Sequence, residues 1–302
     1  MSLLSKLTII IPTFYPGNII IKCLKSLPRE TKIIIVDNGN DDQLVKILKN
    51  LKLKIDYYPI GDVGLPKSFN FGVKKSKTEN ILITQPDVQF RKKSILNLLK
   101  TQKKYPSAGI ITPLLFEKKK YSVYDHLDLK LNKKGELLKK KQKLKCNKIP
   151  SGDICVEAVN ATAMLLKKKH IKKLKGWDEN IYTYHEDIDL CLRLRKKKFE
   201  IIKTPSSIVD HVGFGSHSKK NKEKAERSRN WHYCWSSLYF KHKHSSNLTF
   251  IIFYFKNITK YFFKTLLNFL ILKRKKTYLN FIRLRACLNY LFIRKASFRL
   301  KI

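Results

Sequence analysis

Negative charge is scarce in this chain. Its 302 residues include 64 Lys and Arg against 23 Asp and Glu, a formal net charge of +41. Taken alone, that deficit favours a polyanionic partner such as nucleic acid or an anionic membrane surface. Composition offers a competing cause, because Lys, Ile, Asn, Phe and Tyr are all written with A/T-rich codons. An A/T-rich genome loads lysine onto every solvated face, so we assign the scattered lysines to composition and keep the functional reading for the C-terminal clusters. Paired cysteine motifs are missing too: Cys23, Cys146, Cys155, Cys191, Cys234 and Cys287 are dispersed, with no CxxC and no Cys/His cluster at zinc spacing. That argues against a structural zinc site and leaves reduced thiols as the simplest account. Lysines interrupt every apolar run of the tail well short of the roughly 20 residues a membrane span needs. The opening MSLLSKLTIIIP is too short an apolar run for a signal peptide and turns directly into a core strand, so export by that route is not expected. What is plentiful is apolar content, 43% of the chain, ample for a core in one large domain or two small ones.

The first half alternates. LTIII, from Leu7 to Ile11, reads as a buried strand ending at Pro12-Thr13, and Ile20, Cys23, Leu24 and Leu27 then recur at helical spacing. KIIIV, from Lys32 to Val36, is a second buried strand that stops at Asp37, before a helix over Gln43 to Leu51. LKIDYY, a helix from about Lys67 to Lys75, and NILIT from Asn80 to Thr84 continue the rhythm, which predicts a parallel sheet with helices on both faces. Ligands on such sheets bind beyond the carboxyl ends of the strands, where Thr13, Asp37 and Asp87 fall. After AGIIT, Ala108 to Thr112, the periodicity weakens, and the lysine-dense insert from Glu117 to Pro150, with Tyr121 and Tyr124 in it, reads as a solvated, loosely ordered loop. Order returns with the apolar run Val156 to Leu166, whose Ala161, Thr162 and Ala163 admit close approach of a ligand or a neighbouring backbone.

YHEDIDLCLRLR, Tyr184 to Arg195, places Glu186, Asp187 and Asp189 at the start of an apolar helix. Acidic side chains are favoured there by the unpaired amides of a first turn, so the run has a purely structural explanation as well. Its neighbours sharpen the reading: a small-residue strand and a GWDE turn (Gly176 to Glu179) upstream, and DHVGFGS, Asp210 to Ser216, downstream.

From Asn160 to Ser216 these spaced elements resemble the acceptor half of family 2 glycosyltransferases. The first half is similar to the nucleotide-binding half of the same family. The resemblance implies an α/β glycosyltransferase A-type fold, a Rossmann-like mixed sheet flanked by helices, with C-terminal amphipathic helices added. It divides the chain into a nucleotide-sugar-binding half (1–115), an acceptor half with the catalytic helix (116–216) and a helical, membrane-associating segment (217–302). By the same resemblance Asp187 is the catalytic base beside Glu186, Asp37 meets a pyrimidine base, and Pro12, Thr13, Asn70, Gln85 and Asp87 surround the donor. Asp87 and His211 are implied ligands of a divalent metal, Mn or Mg. The family's frequent Asp-x-Asp is reduced here, since Gln85 holds the first place. Gly72 reads as a packing glycine. Gly213, Gly215 and Ser216 offer either backbone donors for phosphates or a lid hinge.

The implied reaction is inverting transfer from a UDP- or dTDP-sugar, rhamnose among the options, to a lipid-linked or polysaccharide acceptor. Residues Arg227 to Lys243 read as a helix, followed by an intensely apolar one from Thr249 to Leu272 and a third stretch from Tyr278 to Phe292. Lys256, Lys260 and Lys264 step by four along the second. Such helices suit an anionic membrane interface, aromatics inward, or burial against protein. The expected location is cytoplasmic, peripheral on the inner face of the plasma membrane. Two other readings stand: a metal-dependent nucleotidyltransferase, although no glycine-rich phosphate loop follows the first strand, and a basic nucleic-acid-binding protein, suggested by charge alone. No specific nucleic acid is expected as a partner, and the oligomeric state is left open.

Overall fold

Seven consecutive buried residues make Leu7–Thr13 the strand β1 at the heart of a sheet. In the computed structural model, which describes residues 2–51, 53–117, 120–122, 126–131, 137–142, 149–212, 222–293 and 295–299, it is followed by α1 (Ile19–Lys25), β2 (Lys32–Asp37) and α2 (Asp42–Lys49). Next come β3 (Ile55–Pro59), α3 (Leu65–Lys75), β4 (Asn80–Thr84), β5 (Val88–Phe90), α4 (Ser94–Lys104), β6 (Ile110–Glu117) and β7 (Lys120–Tyr121). Then follow β8 (His126–Leu131), β9 (Leu137–Gln142), β10 (Ile154–Cys155), β11 (Ala158–Val159), β12 (Ala163–Lys167), α5 (Lys168–Lys173), α6 (Glu186–Lys196) and β13 (Ile201–His211). The chain closes on α7 (Lys222–His244), α8 (Asn247–Leu270) and α9 (Arg274–Phe292).

The large sheet has the strand order β10-β13-β6-β12-β4-β1-β2-β3. Strands β4, β1, β2 and β3 run parallel, as the strand-helix rhythm predicts, and β12 enters antiparallel between β4 and β6. The sheet is therefore mixed. The expected division at residue 115 falls inside β6, and strands from both halves share this one sheet. A helix of its own, α4, occupies a stretch the sequence reading leaves unassigned. Its Ile95, Leu98 and Leu99 are buried at helical spacing, which made it readable. Within the insert read as a loose loop, β8 pairs with β11 and β9 completes a three-stranded sheet. Tyr124 lies outside the described residues. A Cβ on Gly72 would stand 2.5 Å from Ile10 Cγ2, so α3 can lie against β1 only because that residue has no side chain.

Two compact units emerge: residues 1–129, 140–178 and 187–217 form one, and 130–139, 179–186 and 218–302 the other. The second has its own core of Trp231, Trp235, Leu238, Tyr254, Ile282 and Cys287. All five described cysteines are free thiols, in keeping with the reduced chemistry expected of them.

Lys203 is fully buried in β13, across from Thr112 of β6 and Ile154 of β10. Loss of hydration pushes its pKa from 10.5 down to about 6. Between those values the unfolded chain binds a proton that the folded chain does not, so this residue makes stability rise with pH across that window. We expect the thermal midpoint of the wild-type protein to climb from pH 7 to pH 9, and Lys203→Met to raise the pH 7 midpoint and flatten the slope. Equal slopes for the two proteins would show that Lys203 keeps its proton in the fold.

Candidate active site

Parallel pairing places the carboxyl ends of β1, β2 and β4 on one edge, with Thr13 beside Asp37 and Ile10 beside Ile83. Because β12 is antiparallel, its beginning reaches the same edge, Ala163 opposite Thr84, and Thr84 Oγ1 donates to the Thr162 carbonyl at 2.8 Å. β6 and β13, parallel to each other, end there as well, with Glu117 beside His211. Strands lie about 4.8 Å apart, so residues on neighbouring strand ends can share one small ligand.

Asp37 organises the edge. It is fully buried, and its Oδ1 accepts from Thr13 Oγ1 and the Gly39 amide, both at 3.0 Å. Its Oδ2 accepts from the Asp41 amide at 2.7 Å and the Tyr57 hydroxyl at 2.8 Å. Burial, and then the Asp37 carboxylate, push the Tyr57 phenol pKa upward and keep it a donor. Four donors fill the lone-pair sites of a carboxylate. Asp37, for which the resemblance implies a contact with a nucleotide base, ties three strand-end segments together in this structure. Thr13 is the first of those partners, and its carbonyl accepts from both the backbone and side-chain nitrogens of Asn38. Pro12 is buried within β1 opposite Val36, part of the edge's frame.

The bend after β4 carries Gln85 and Asp87. The Gln85 carbonyl accepts from the Cys23 thiol and the Val88 amide. Asp87 is 6% exposed, and its Oδ2 lies 3.5 Å from His211 Nε2. The other ring nitrogen, Nδ1, is 3.2 Å from Glu117 Oε1. Burial alone would lower the His211 pKa, but Asp87 and Glu117 outweigh it and hold the imidazole above its usual value. Asp87 and His211 are thus brought together as expected. Glu117 is a member the sequence reading missed. Only the register of β6 on β13 reveals it, because the two residues lie 94 positions apart.

Among the described residues no three His, Cys, Asp or Glu side chains form a group able to hold a metal ion. A carboxylate oxygen and an imidazole nitrogen side by side, the imidazole oriented through its far nitrogen by a second carboxylate, nonetheless fit a two-ligand site for a cation that a phosphorylated ligand completes. Gly213, Gly215 and Ser216 lie outside the described residues.

On α6 the three acids have separate tasks. Asp189 is fully buried and pairs with Arg193 Nε at 2.7 Å. Arg193 in turn donates to the carbonyls of Leu174 and Gly176, at 3.0 and 2.8 Å. Glu186 is buried as well. Asp187 is half-buried; its Oδ2 accepts from the Ala161 amide at 3.3 Å and its Oδ1 from Ile188 at 2.7 Å, so it stands at the beginning of β12 and on the shared edge. Tyr184 and His185, just before the helix, both take left-handed backbone angles, φ 66° and 67°. Two such residues in succession are costly for non-glycine side chains and mark a constrained entry into α6.

Asn70, expected on the donor, grips the GWDE turn: its Nδ2 donates to the Trp177 carbonyl at 3.0 Å and its Oδ1 accepts from the Trp177 amide at 2.9 Å. Gly176 has φ +76°, and a Cβ there would stand 2.3 Å from Asn70 Oδ1. The turn is therefore held by α3 on one side and by Arg193 on the other.

With this geometry in view, comparison with known proteins is informative. The model of Glycosyl transferase family 2 matches residues 8–158, half of the chain. That range holds Thr13, Asp37, Asn70, Gln85 and Asp87 and stops short of Asp187 and His211. Rhamnosyltransferase WbbL of Escherichia coli (strain K12) is 25% identical over 203 residues, which are 54% of this chain and 75% of the relative. Among solved structures, GalNAc-T7 with UDP, GalNAc and Mn2+ superposes with a TM-score of 0.55 at 13% identity. The match takes in 82% of this chain and 56% of that one, so this chain spans little more than half of GalNAc-T7. The mannosyltransferase PcManGT from Pyrobaculum calidifontis, in complex with GDP-Man and Mn2+, gives 0.54 at 11% identity over 96% and 88% of the two chains. At these identities the likeness is one of fold, and the fold is the glycosyltransferase A type.

Asp37→Asn turns an amide nitrogen toward donors that need an acceptor. We expect a loss of about 2–4 kcal/mol, read as a fall of roughly 5–10 °C in the thermal midpoint. An unchanged midpoint would mean the edge is held by something else.

Proposed function

Because this chain belongs to glycosyl transferase family 2, we propose that it is an inverting glycosyltransferase that moves a sugar from a UDP- or dTDP-sugar to a hydroxyl of a lipid-linked or polysaccharide acceptor. What supports the reading is that Asp87 lies beside His211 at the edge where β4 and β13 end, and that Asp187, the one acid of α6 that is not buried, accepts from Ala161 just ahead of β12, whose beginning reaches the same edge. The relative WbbL, by name a rhamnosyltransferase, supports rhamnose as the sugar; a cell-envelope polysaccharide as the product is part of the same proposal.

Displacement at the anomeric carbon needs a base for the incoming hydroxyl and positive charge for the departing diphosphate. Asp187 takes the proton as the acceptor oxygen attacks from the face opposite the diphosphate, so the configuration inverts. Its bonds from Ala161 and Ile188 hold the carboxylate in place before the acceptor arrives. Asp87 and His211 would hold a divalent cation, Mn or Mg, with Glu117 fixing the imidazole. Such an ion, when bound, neutralises the diphosphate. Asp37 serves the donor indirectly, by keeping the strand-end segments in register.

Docking on an anionic membrane surface fits the same role. Among the described residues no helix is long and apolar enough to cross a membrane. On α8, however, Ile251, Phe255, Phe262, Leu266, Phe269 and Leu270 are exposed, and at about 100° per residue they share one arc. Lys256, Lys260 and Lys264, also exposed, follow one border of it. An arc with lysines at its rim lies in the plane of a bilayer, ammonium groups at the phosphates. A peripheral position on the inner face of the plasma membrane is part of the same proposal.

Asp187→Asn preserves shape and removes the base. Transfer should fall at least 10²-fold while calorimetric binding of the nucleotide-sugar is unchanged; more than about a tenth of wild-type activity would remove the assignment. For the metal, His211→Ala and Glu117→Gln should each weaken Mn2+ binding in the presence of UDP by about 10- to 100-fold, counted as free Mn2+ by electron paramagnetic resonance. Wild-type affinity in both variants would end the two-ligand reading.

A further inference from the structure

The helical unit contains a cavity of about 510 Å³, lined by α7, α9 and residues 297–299. That volume is in the range of small-ligand sites, about 300–1,000 Å³. Two arginines, Arg285 and Arg299, line it beside Trp231, Phe292 and Phe298. Among the described residues no carboxylate does, and no Asp or Glu follows Glu226 in the sequence. Arg299 is held in place: it donates to the carbonyls of Ala296 and Phe298, at 2.6 and 2.9 Å, and lies 4.2 Å over the Tyr182 ring. Arg285 is exposed and makes no hydrogen bond or ion pair among the described residues. The amide of Asn289 donates from Nδ2 to Ser297 Oγ at 3.1 Å, whereas its Oδ1 is buried without a hydrogen-bond partner among the described residues.

These features describe a ligand. Planar guanidinium forks match phosphate oxygens, and two of them without a carboxylate nearby favour one phosphate group over a zwitterion. The buried Asn289 oxygen calls for a donor such as a hydroxyl, because an unmet buried acceptor is costly. Leu288, Phe292 and Ile293 line the cavity and are also 40%, 77% and 57% exposed, so its wall continues into the outward apolar face of α9. A free phosphate would leave that wall in water; an amphiphile would cover it.

We propose that this cavity binds the hydroxylated phosphate headgroup of a membrane lipid, of the phosphoglycerol kind, with the first carbons of its chains along Leu288, Phe292 and Ile293. The proposal rests on the membrane-docking reading of α8 and gives it a specific lipid contact.

The test uses the full chain and three probes: dihexanoylphosphatidylglycerol below its micelle concentration, inorganic phosphate, and phosphatidylglycerol-containing vesicles. Calorimetry should show the short-chain lipid binding, about tenfold or more weaker in Arg285→Gln, with inorganic phosphate weaker than the lipid in the wild type. The triple variant Lys256→Gln, Lys260→Gln, Lys264→Gln should keep the short-chain lipid and lose vesicle flotation. Near-UV circular dichroism confirms that Arg285→Gln, a change at an exposed position, keeps the fold. The cavity assignment is overturned if the wild type floats with vesicles yet ignores the short-chain lipid, if Arg285→Gln binds it as tightly as the wild type, or if inorganic phosphate binds equally well. Failure of the wild type to float, or sedimentation showing that a second copy covers the α8 arc, overturns the docking reading instead.

Discussion

A buried carboxylate with four donors around it governs the functional edge of this protein. Asp37 at the end of β2 takes hydrogen bonds from β1, from β3 and from the loop that caps α2. Removing a charge from water is expensive, and it is tolerated here because every acceptor site is met. Parallel strands bring their ends together by topology alone. The shape of the loops beyond those ends depends on a local anchor, and Asp37 supplies it. It thereby imposes order on Thr13, Gly39 and Tyr57.

A second bracket acts on the turn before α6. The turn from Leu174 to Trp177 is gripped by Asn70 from α3 and by Arg193 from α6, and Asp189 holds Arg193. Two residues apart on a helix, side chains point about 200° away from each other. Asp189 and Asp187 therefore cannot serve the same side, and the division between structural anchor and proposed base follows from helix geometry. The left-handed pair Tyr184 and His185 feeds directly into this helix, and His185 is itself fixed, bonded to Ser237 at 2.8 Å and stacked on Phe240.

The helical unit solves a different problem. It has an aromatic core of its own, yet α8 and α9 keep wide apolar arcs outside it. Exposed apolar area on this scale signals a surface that something covers. The absence of acidic residues after Glu226 gives that surface one sign of charge along its whole length. Composition bias explains many lysines, but it does not arrange three of them along one border of an apolar arc.

Periodicity was enough to read β1, β2, β4 and the three long C-terminal helices, since runs such as LTIII and NILIT are buried on both faces and leave no polar alternation to confuse them. Motif spacing was enough to single out Asp87, Asp187 and His211. The two small strands of the lysine-rich insert went unread because lysines dominate the stretch and their pairing, β8 on β11, joins segments some 30 residues apart, although HLDLKL does alternate polar and apolar residues. Glu117 was invisible for the same reason: it meets His211 only because β6 and β13 lie side by side in register. Asn70 and Asp37 were recognised as important, but their bonds within the protein, to the Trp177 backbone and to Thr13, Gly39, Asp41 and Tyr57, were not legible, since a side chain's identity says what it can bond and its surroundings say what it does bond. The order of residues along the chain thus determined which elements form and which groups are chemically able. Strand order and burial determined which of those groups meet, because hydrogen bonds and ion pairs act over about 3 Å and distance in sequence carries no information at that range.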